Sequence, residues 1–294
     1  MASEPLPGRL CPFPESAVPG NREPYRAESG NHRCGCVLFC SKDYSPILER
    51  LHEISDRFNC YYHYTITAYG EDIEPRVPSI EKSIDTLKRL ADQVGSEKIG
   101  WRYDPVLLTN KYTIQRHLET FGQMAMELTP YVDRCIFSFV EMYKKLEVNM
   151  PELKPVSEAD KLTLAEGLGR IAKENGLWLQ TCATKENYEQ FGIHTSGCMT
   201  TEIFSKALGL DFKRAPNKGN RAGCLCMESR GLGDYNSCPN GCRYCYANKD
   251  HNKALQNYLT HDPSSPLLLG HLRPTDKIQP SRQVSMLNRD PSLF

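Results

Sequence analysis

Short apolar runs alternate with amphipathic segments through most of the chain. Apolar residues at helical spacing predict four helices, at 46–58, 79–94, 113–128 and 157–175. Ser79 and Ser157 can cap two of these helices, and Gly176 can end the last one. Before, between and after the helices, runs rich in aromatic, β-branched and other apolar residues predict five strands, at 37–40, 61–67, 99–103, 135–140 and 177–183.

Strands that alternate with helices in this way imply parallel pairing with right-handed crossovers. An open doubly wound sheet and a closed (β/α) barrel both fit the pattern. We favour an α/β fold of the TIM-barrel type, because no glycine-rich phosphate turn follows the first strand. Residues 184–219 add a shorter unit with a predicted helix at 200–208.

Composition divides the chain into three regions. Residues 1–35 contain six of the 20 prolines and no periodic apolar pattern, so we expect them to be disordered or loosely attached. Residues 36–219 form the predicted barrel-like domain. Residues 220–294 hold a cysteine-rich loop and a tail rich in proline and serine, which we expect to wrap around the domain.

Charge and hydropathy exclude several classes of protein. The 36 basic and 36 acidic side chains balance, which argues against a general polyanion binder and gives no strong nucleic-acid signal. No apolar run approaches the roughly 20 residues that span a bilayer. The first 33 residues do not have the pattern of a secretory signal. We therefore expect a soluble, cytoplasmic protein without membrane contact.

The chain has thirteen cysteines, an odd number that cannot all pair in disulfides and that a cytoplasmic protein would keep reduced. Eight are spread over the first 198 residues, which is typical of small buried side chains. The other five lie between residues 224 and 245, and this density indicates a metal site.

Three of these five, Cys238, Cys242 and Cys245, are spaced as C-x3-C-x2-C around the turn-forming residues 239–241. Thiolates select zinc, copper(I) or iron–sulfur clusters. The unequal spacing, with Tyr244 directly before the last cysteine, is typical of radical S-adenosylmethionine (SAM) enzymes. In those enzymes three cysteines bind a 4Fe–4S cluster and leave the fourth iron for SAM.

Cys224 and Cys226 leave an alternative open, because either one could provide a fourth ligand. A cluster with four protein ligands would be structural or electron-transferring and would not cleave SAM. Zinc is the alternative metal, although structural zinc sites usually show paired C-x2-C units.

Polar residues follow several of the predicted strands, where (β/α) barrels carry their chemistry. Lys42 follows the first strand, Arg102 and Asp104 end the third on one face, and Glu141 ends the fourth. These four could bind a polar substrate or the carboxylate and amine of SAM. The alternative is a buried ion-pair network or a set of helix caps.

Five separated segments together resemble one family, the domain of unknown function 1848 family, over residues 36–294. That family has no settled activity, and its C-terminal cysteine cluster looks like the radical SAM motif. The resemblance therefore implies an iron–sulfur cluster at the C-x3-C-x2-C segment. The segments are IEPRVPS (73–79), WRYDPVLL (101–108), CIFSFVEMYKK (135–145), CPNGCRYCYAN (238–248) and HDPSSPLLLGHL (261–272).

This chain departs from both patterns. Radical SAM enzymes usually carry their cysteines after the first barrel strand and have a Gly-Gly-Glu-Pro-like segment, whereas here the cysteines lie near the C-terminus and that segment is missing. Family members usually begin with a strand that bears Ser-Arg-Arg-Thr-Asp, which is also missing. We therefore expect an incomplete barrel and a truncated or atypical N-terminus.

The sequence thus predicts a radical SAM-like iron–sulfur enzyme that acts on an unidentified substrate and receives electrons from a donor protein. Two alternatives remain open at this point. One is a non-catalytic iron–sulfur or zinc protein with a closed four-cysteine site, and the other is an inactive, truncated family member.

Overall fold

The computed structural model describes residues 35–217, 219, 223–277 and 285–288. The proline-rich segment predicted at 1–35 lies outside the described residues, except for Gly35. Among the residues that the structure describes, no helix has the length and apolar character needed to cross a bilayer.

Six parallel strands form one sheet, in the order in which they occur along the chain. This confirms the predicted α/β class. The described sheet is open, with its first and last strands at the two edges, so closure into a barrel stays a prediction. The strands are β1 (Val37–Ser41), β2 (Cys60–Thr65), β3 (Ile99–Val106), β4 (Arg134–Phe139), β5 (Leu179–Thr181) and β6 (His194–Thr195).

The three long predicted helices and the predicted helix at 200–208 are confirmed. Ser79 and Ser157 accept hydrogen bonds from the first turns of their helices, as predicted, and Ser157 forms a full capping box with Asp160. The described helices are α1 (His52–Ser55), α2 (Ile80–Val94), α3 (Ile114–Leu128), α4 (Lys144–Asn149), α5 (Glu158–Asn175), α6 (Thr201–Leu208) and α7 (His251–Leu259).

Two predicted elements are shorter than expected. In place of one helix over 46–58, a 3-10 turn (Leu48–Arg50) leads into α1. Leu48, Leu51 and Ile54 are all buried, and their spacing of three residues matches the 3-10 period better than the α-helical one. The strand predicted at 177–183 is only Leu179–Thr181, because Gly176 and Leu177 still belong to the end of α5.

The two faces of the sheet differ in character. One face packs against α2, α3 and α5 in the main core, where the Trp101 and Phe121 rings stack 5.2 Å apart. On the opposite face, near the amino ends of the strands, Tyr61 packs against Phe204 of α6 and against Phe212. We call this second face the inner face. Its carboxyl end carries the polar groups and cysteines described below.

The capping box offers a test of how α5 is stabilised. We expect Ser157→Ala to lower the free energy of unfolding by about 1 kcal/mol, because the first turn of the helix loses a hydrogen-bond acceptor. Chemical denaturation followed by circular dichroism measures this change. Thr163→Ala removes an exposed hydroxyl that bonds only within the same helix, and it is the matched control. An equal loss of stability in both variants would contradict the capping interpretation.

Candidate metal centres

Arg102 and Asp104 meet on the inner face of β3, as strand alternation predicts. The Arg102 guanidinium donates two hydrogen bonds to the Asp104 carboxylate, at 2.9 and 2.7 Å, and the Ser138 hydroxyl of β4 donates another at 3.1 Å. Burial alone would raise the pKa of Asp104, but the adjacent Arg102 and the hydrogen bonds hold it below its usual range. The pair is thus a charged, hydrogen-bonded unit.

A second charged unit surrounds the buried carboxylate of Glu74. Lys42 lies 2.9 Å from one Glu74 oxygen, and the Thr67 hydroxyl donates to the same oxygen at 2.8 Å. The Tyr244 hydroxyl also donates to it. Burial raises the pKa of Tyr244 above its usual value, so this hydroxyl stays protonated. Sequence reasoning missed Glu74, since its position in an irregular segment after β2 carries no periodic signal.

The four polar residues that the sequence predicts as a binding ring therefore do not form one cluster. Lys42 acts electrostatically on Asp104, so the Lys42–Glu74 and Arg102–Asp104 pairs adjoin. Glu141 lies beyond the end of β4 and is exposed. A ring of all four remains a prediction, and the ion pairs match the alternative that the sequence left open.

Residues 238–248, which we call the cysteine loop, dock on the carboxyl ends of the strands. Arg243 donates to the backbone carbonyls of Asp72 and Asn149 and forms a two-pronged ion pair with Glu152. The backbone N–H of Arg243 also donates to the Ile73 carbonyl at 3.0 Å. The loop is thus bound to the segments that follow β2 and β4.

Several carbonyl groups of the cysteine loop accept hydrogen bonds from side chains outside the loop. Arg76 donates to the Pro239 carbonyl at 2.5 Å, Tyr143 to the Tyr244 carbonyl at 2.5 Å, and Lys145 to the Cys245 carbonyl at 3.1 Å. A peptide N–H points opposite to the carbonyl of its own peptide group. Accordingly, the N–H of Asn240, in the same peptide group as the Pro239 carbonyl, faces the Cys238 sulfur.

The three cysteines of the loop differ in exposure. Cys242 is buried, Cys245 is half-buried and Cys238 is exposed. Burial raises the pKa of the Cys242 thiol to about 12. A metal would have to displace the proton from this thiol on binding.

A second group of cysteines lies deeper on the inner face. The Cys198 sulfur is 3.4 Å from that of Cys182 and 3.5 Å from that of Cys226, and all three side chains are buried. We call these three the cysteine trio. In the described part of the chain it is the one group of three or more His, Cys, Asp or Glu side chains whose ligand atoms all lie within 4.8 Å of one another. The trio could therefore hold a metal ion.

The trio was hidden in the sequence because its members are far apart along the chain. The sequence pattern predicts Cys182 and Cys198 to be dispersed, buried thiols. It predicts Cys226 to be a possible fourth ligand of the cysteine loop. In the structure Cys182 and Cys198 follow successive parallel strands whose carboxyl ends meet, but the two-residue strand β6 is too short for the sequence pattern to predict it. Cys224, the other candidate fourth ligand, packs against the trio together with Ala183 and Met199.

Electrostatics within the trio favour an anion. Hydrogen bonds from Cys182 and Cys226, together with the field of Arg102, lower the pKa of Cys198 despite its burial. The hydrogen bond with Cys198 and burial raise the pKa of Cys182 to about 11. Within the trio, the thiolate form is therefore more favourable at Cys198 than at Cys182.

Residues 15–247 match the model of one protein family, which is described as a domain of unknown function (DUF1848). The chain belongs to this family. Comparisons with curated proteins and with solved structures gave no match. The DUF1848 match includes all six cysteines of the trio and of the C-x3-C-x2-C segment.

The Arg102–Asp104 pair of this DUF1848 protein can be tested by pH. We expect Asp104→Asn to cost about 3 kcal/mol at neutral pH, because a buried guanidinium loses its counter-ion. The native pKa of Asp104 is depressed, so its contribution is present above the unfolded value of about 3.9 and is lost as the pH falls through the native value. Denaturation of the wild type and the variant over an acid pH series measures this. A difference that stays constant on acidification would contradict the pairing.

Proposed function

We propose that this DUF1848 protein is a radical SAM-like iron–sulfur protein whose Cys238, Cys242 and Cys245 hold a 4Fe–4S cluster. The proposal rests on the observation that only three of the five clustered cysteines are available as ligands at the cysteine loop. The two cysteines that could have closed the site, Cys224 and Cys226, pack with the trio instead. Three ligands leave one iron open for SAM.

The spacing of the thiols supports a cluster over a single ion. A tetrahedral ion with metal–sulfur bonds of about 2.3 Å holds its sulfurs roughly 3.8 Å apart. Among the described residues only the trio has all its sulfurs within 4.8 Å of one another, so the three loop thiols are more widely spread. A cluster binds each thiolate to a different iron and needs the wider spread.

Charge around the loop supports the same cofactor. A cluster with three thiolates is anionic, and burying it requires nearby cations. Lys42 and Arg76 both act electrostatically on Cys238, and Lys145 donates a hydrogen bond to the Cys245 carbonyl of the loop. The Asn240 N–H directed at Cys238 adds the kind of hydrogen bond that stabilises a metal-bound sulfur.

When bound and reduced, such a cluster would supply one electron that cleaves a carbon–sulfur bond of the SAM sulfonium. An electron-donor protein would approach the site at Cys238, the exposed cysteine of the loop. Lys42, Arg102 and Asp104 lie near the carboxyl ends of β1 and β3, and there they would orient the substrate or the polar groups of SAM. Glu141 is exposed, so it would contact the substrate or SAM at the solvent-facing edge of the site.

Anaerobic reconstitution of the full chain with iron and sulfide tests this proposal. We expect about four irons per chain and, after reduction, an electron paramagnetic resonance signal that changes when SAM is added. Cys238→Ala, Cys242→Ala and Cys245→Ala should each abolish the signal. Cys36→Ser, which alters a half-buried thiol beside β1, is the matched control and should leave it unchanged.

Two results would contradict the proposal in different ways. Failure of the wild type to take up iron would exclude the cluster. A cluster whose signal ignores SAM and is lost in Cys224→Ser would indicate a closed site with four protein ligands, serving stability or electron transfer.

A further inference from the structure

The cysteine trio is built from three separate parts of the chain. Cys182 directly follows β5, Cys198 follows β6, and Cys226 lies in the extended segment that leads to the cysteine loop. All three side chains are at most 7% exposed. Buried thiols that converge from three segments mark a site formed by the fold.

A disulfide does not account for this arrangement. Bonded sulfurs lie about 2.05 Å apart, and a disulfide joins only two of them. Here the Cys198 sulfur is almost equally distant from those of Cys182 and Cys226, at 3.4 and 3.5 Å. These separations approach the roughly 3.8 Å between thiolates on one tetrahedral zinc ion.

The surroundings suit an anionic, metal-bound group. Arg102 acts electrostatically on Cys198 and would offset part of the charge of three thiolates. The His63 ring lies across Gly100 beside Ile136, which packs against the trio. Its Nε2 atom is buried and has no hydrogen-bond partner among the described residues, so a polar group beside the trio is still unsatisfied.

We propose that Cys182, Cys198 and Cys226 bind a single zinc ion, separately from the metal site of the cysteine loop. Sulfur-rich tetrahedral sites take zinc or iron–sulfur clusters, and the short separations here fit one ion and not a cluster. Structural zinc sites have four ligands, and Cys224, which packs against the same group two residues before Cys226, would supply the fourth.

The ion would have a structural role that follows from its position. β6 has only two residues, so few backbone hydrogen bonds attach the chain after β5 to the sheet. A zinc ion would join the carboxyl ends of β5 and β6 to the segment that precedes the cysteine loop. This inference does not depend on the function proposed for that loop.

Cobalt(II) titration of a loop-deficient chain tests the site, since cobalt reports tetrahedral thiolate ligation by its visible absorption. The background is the full chain with Cys238, Cys242 and Cys245 all changed to Ala, which leaves the trio intact. We expect one cobalt ion per chain, with thiolate charge-transfer bands that zinc abolishes. Adding Cys226→Ser should remove the bands, whereas adding Cys36→Ser as the matched control should retain them.

Metal analysis of the otherwise unchanged chain separates the two sites and does not require the background variant to fold. Cys198→Ser should lose zinc and keep reconstituted iron, and Cys242→Ala should lose iron and keep zinc. The proposal is overturned if cobalt fails to bind, if binding survives Cys226→Ser, or if peptide mapping finds Cys182 and Cys198 joined in a disulfide in freshly isolated protein. None of these outcomes bears on whether the cysteine loop binds a cluster.

Discussion

The Glu74 carboxylate is the group on which the arrangement of this molecule depends most. It is 3% exposed, so its charge requires partners, and these come from three directions. Lys42 reaches it from the end of β1, Thr67 from the end of β2, and Tyr244 from the cysteine loop. Because Tyr244 sits between two cysteines of the C-x3-C-x2-C segment, this carboxylate fixes the loop against the sheet.

From Glu74 a chain of charges crosses the carboxyl edge of the sheet. Lys42 acts on Asp104, Asp104 pairs with Arg102, and Arg102 acts on Cys198 of the trio. The two groups of cysteines thus lie at opposite ends of one electrostatic network. A change of charge at either end alters the field at the other, although no cysteine of the loop belongs to the trio.

The sequence predicted the features that depend on local periodicity. The α/β alternation, the caps of α2 and α5 and the contact between Arg102 and Asp104 all follow from spacing along one element. Features that depend on meetings between distant segments were not predictable. Cys182, Cys198 and Cys226 carry no common motif. The parallel register of β5 and β6 brings the first two together, and the backbone hydrogen bond from Met227 to Met199 brings Cys226 to them.

The positions of the two cysteine groups along the chain suggest how one supports the other. The segment between Cys226 and Cys238 contains no regular helix or strand, so isolated contacts fix its ends, among them the backbone hydrogen bonds from Met227 to Met199 and from Asn236 to Ala247. The segment starts at Cys226 of the trio. Where the segment meets the cysteine loop, Arg76 donates to the Pro239 carbonyl, and Arg243 of the loop donates to the Asn149 carbonyl. An ion in the trio would shorten the unconstrained chain before the loop and so reduce the entropy lost when the three loop thiols gather around a cluster. The trio would then organise the loop at a distance, through the chain that joins them.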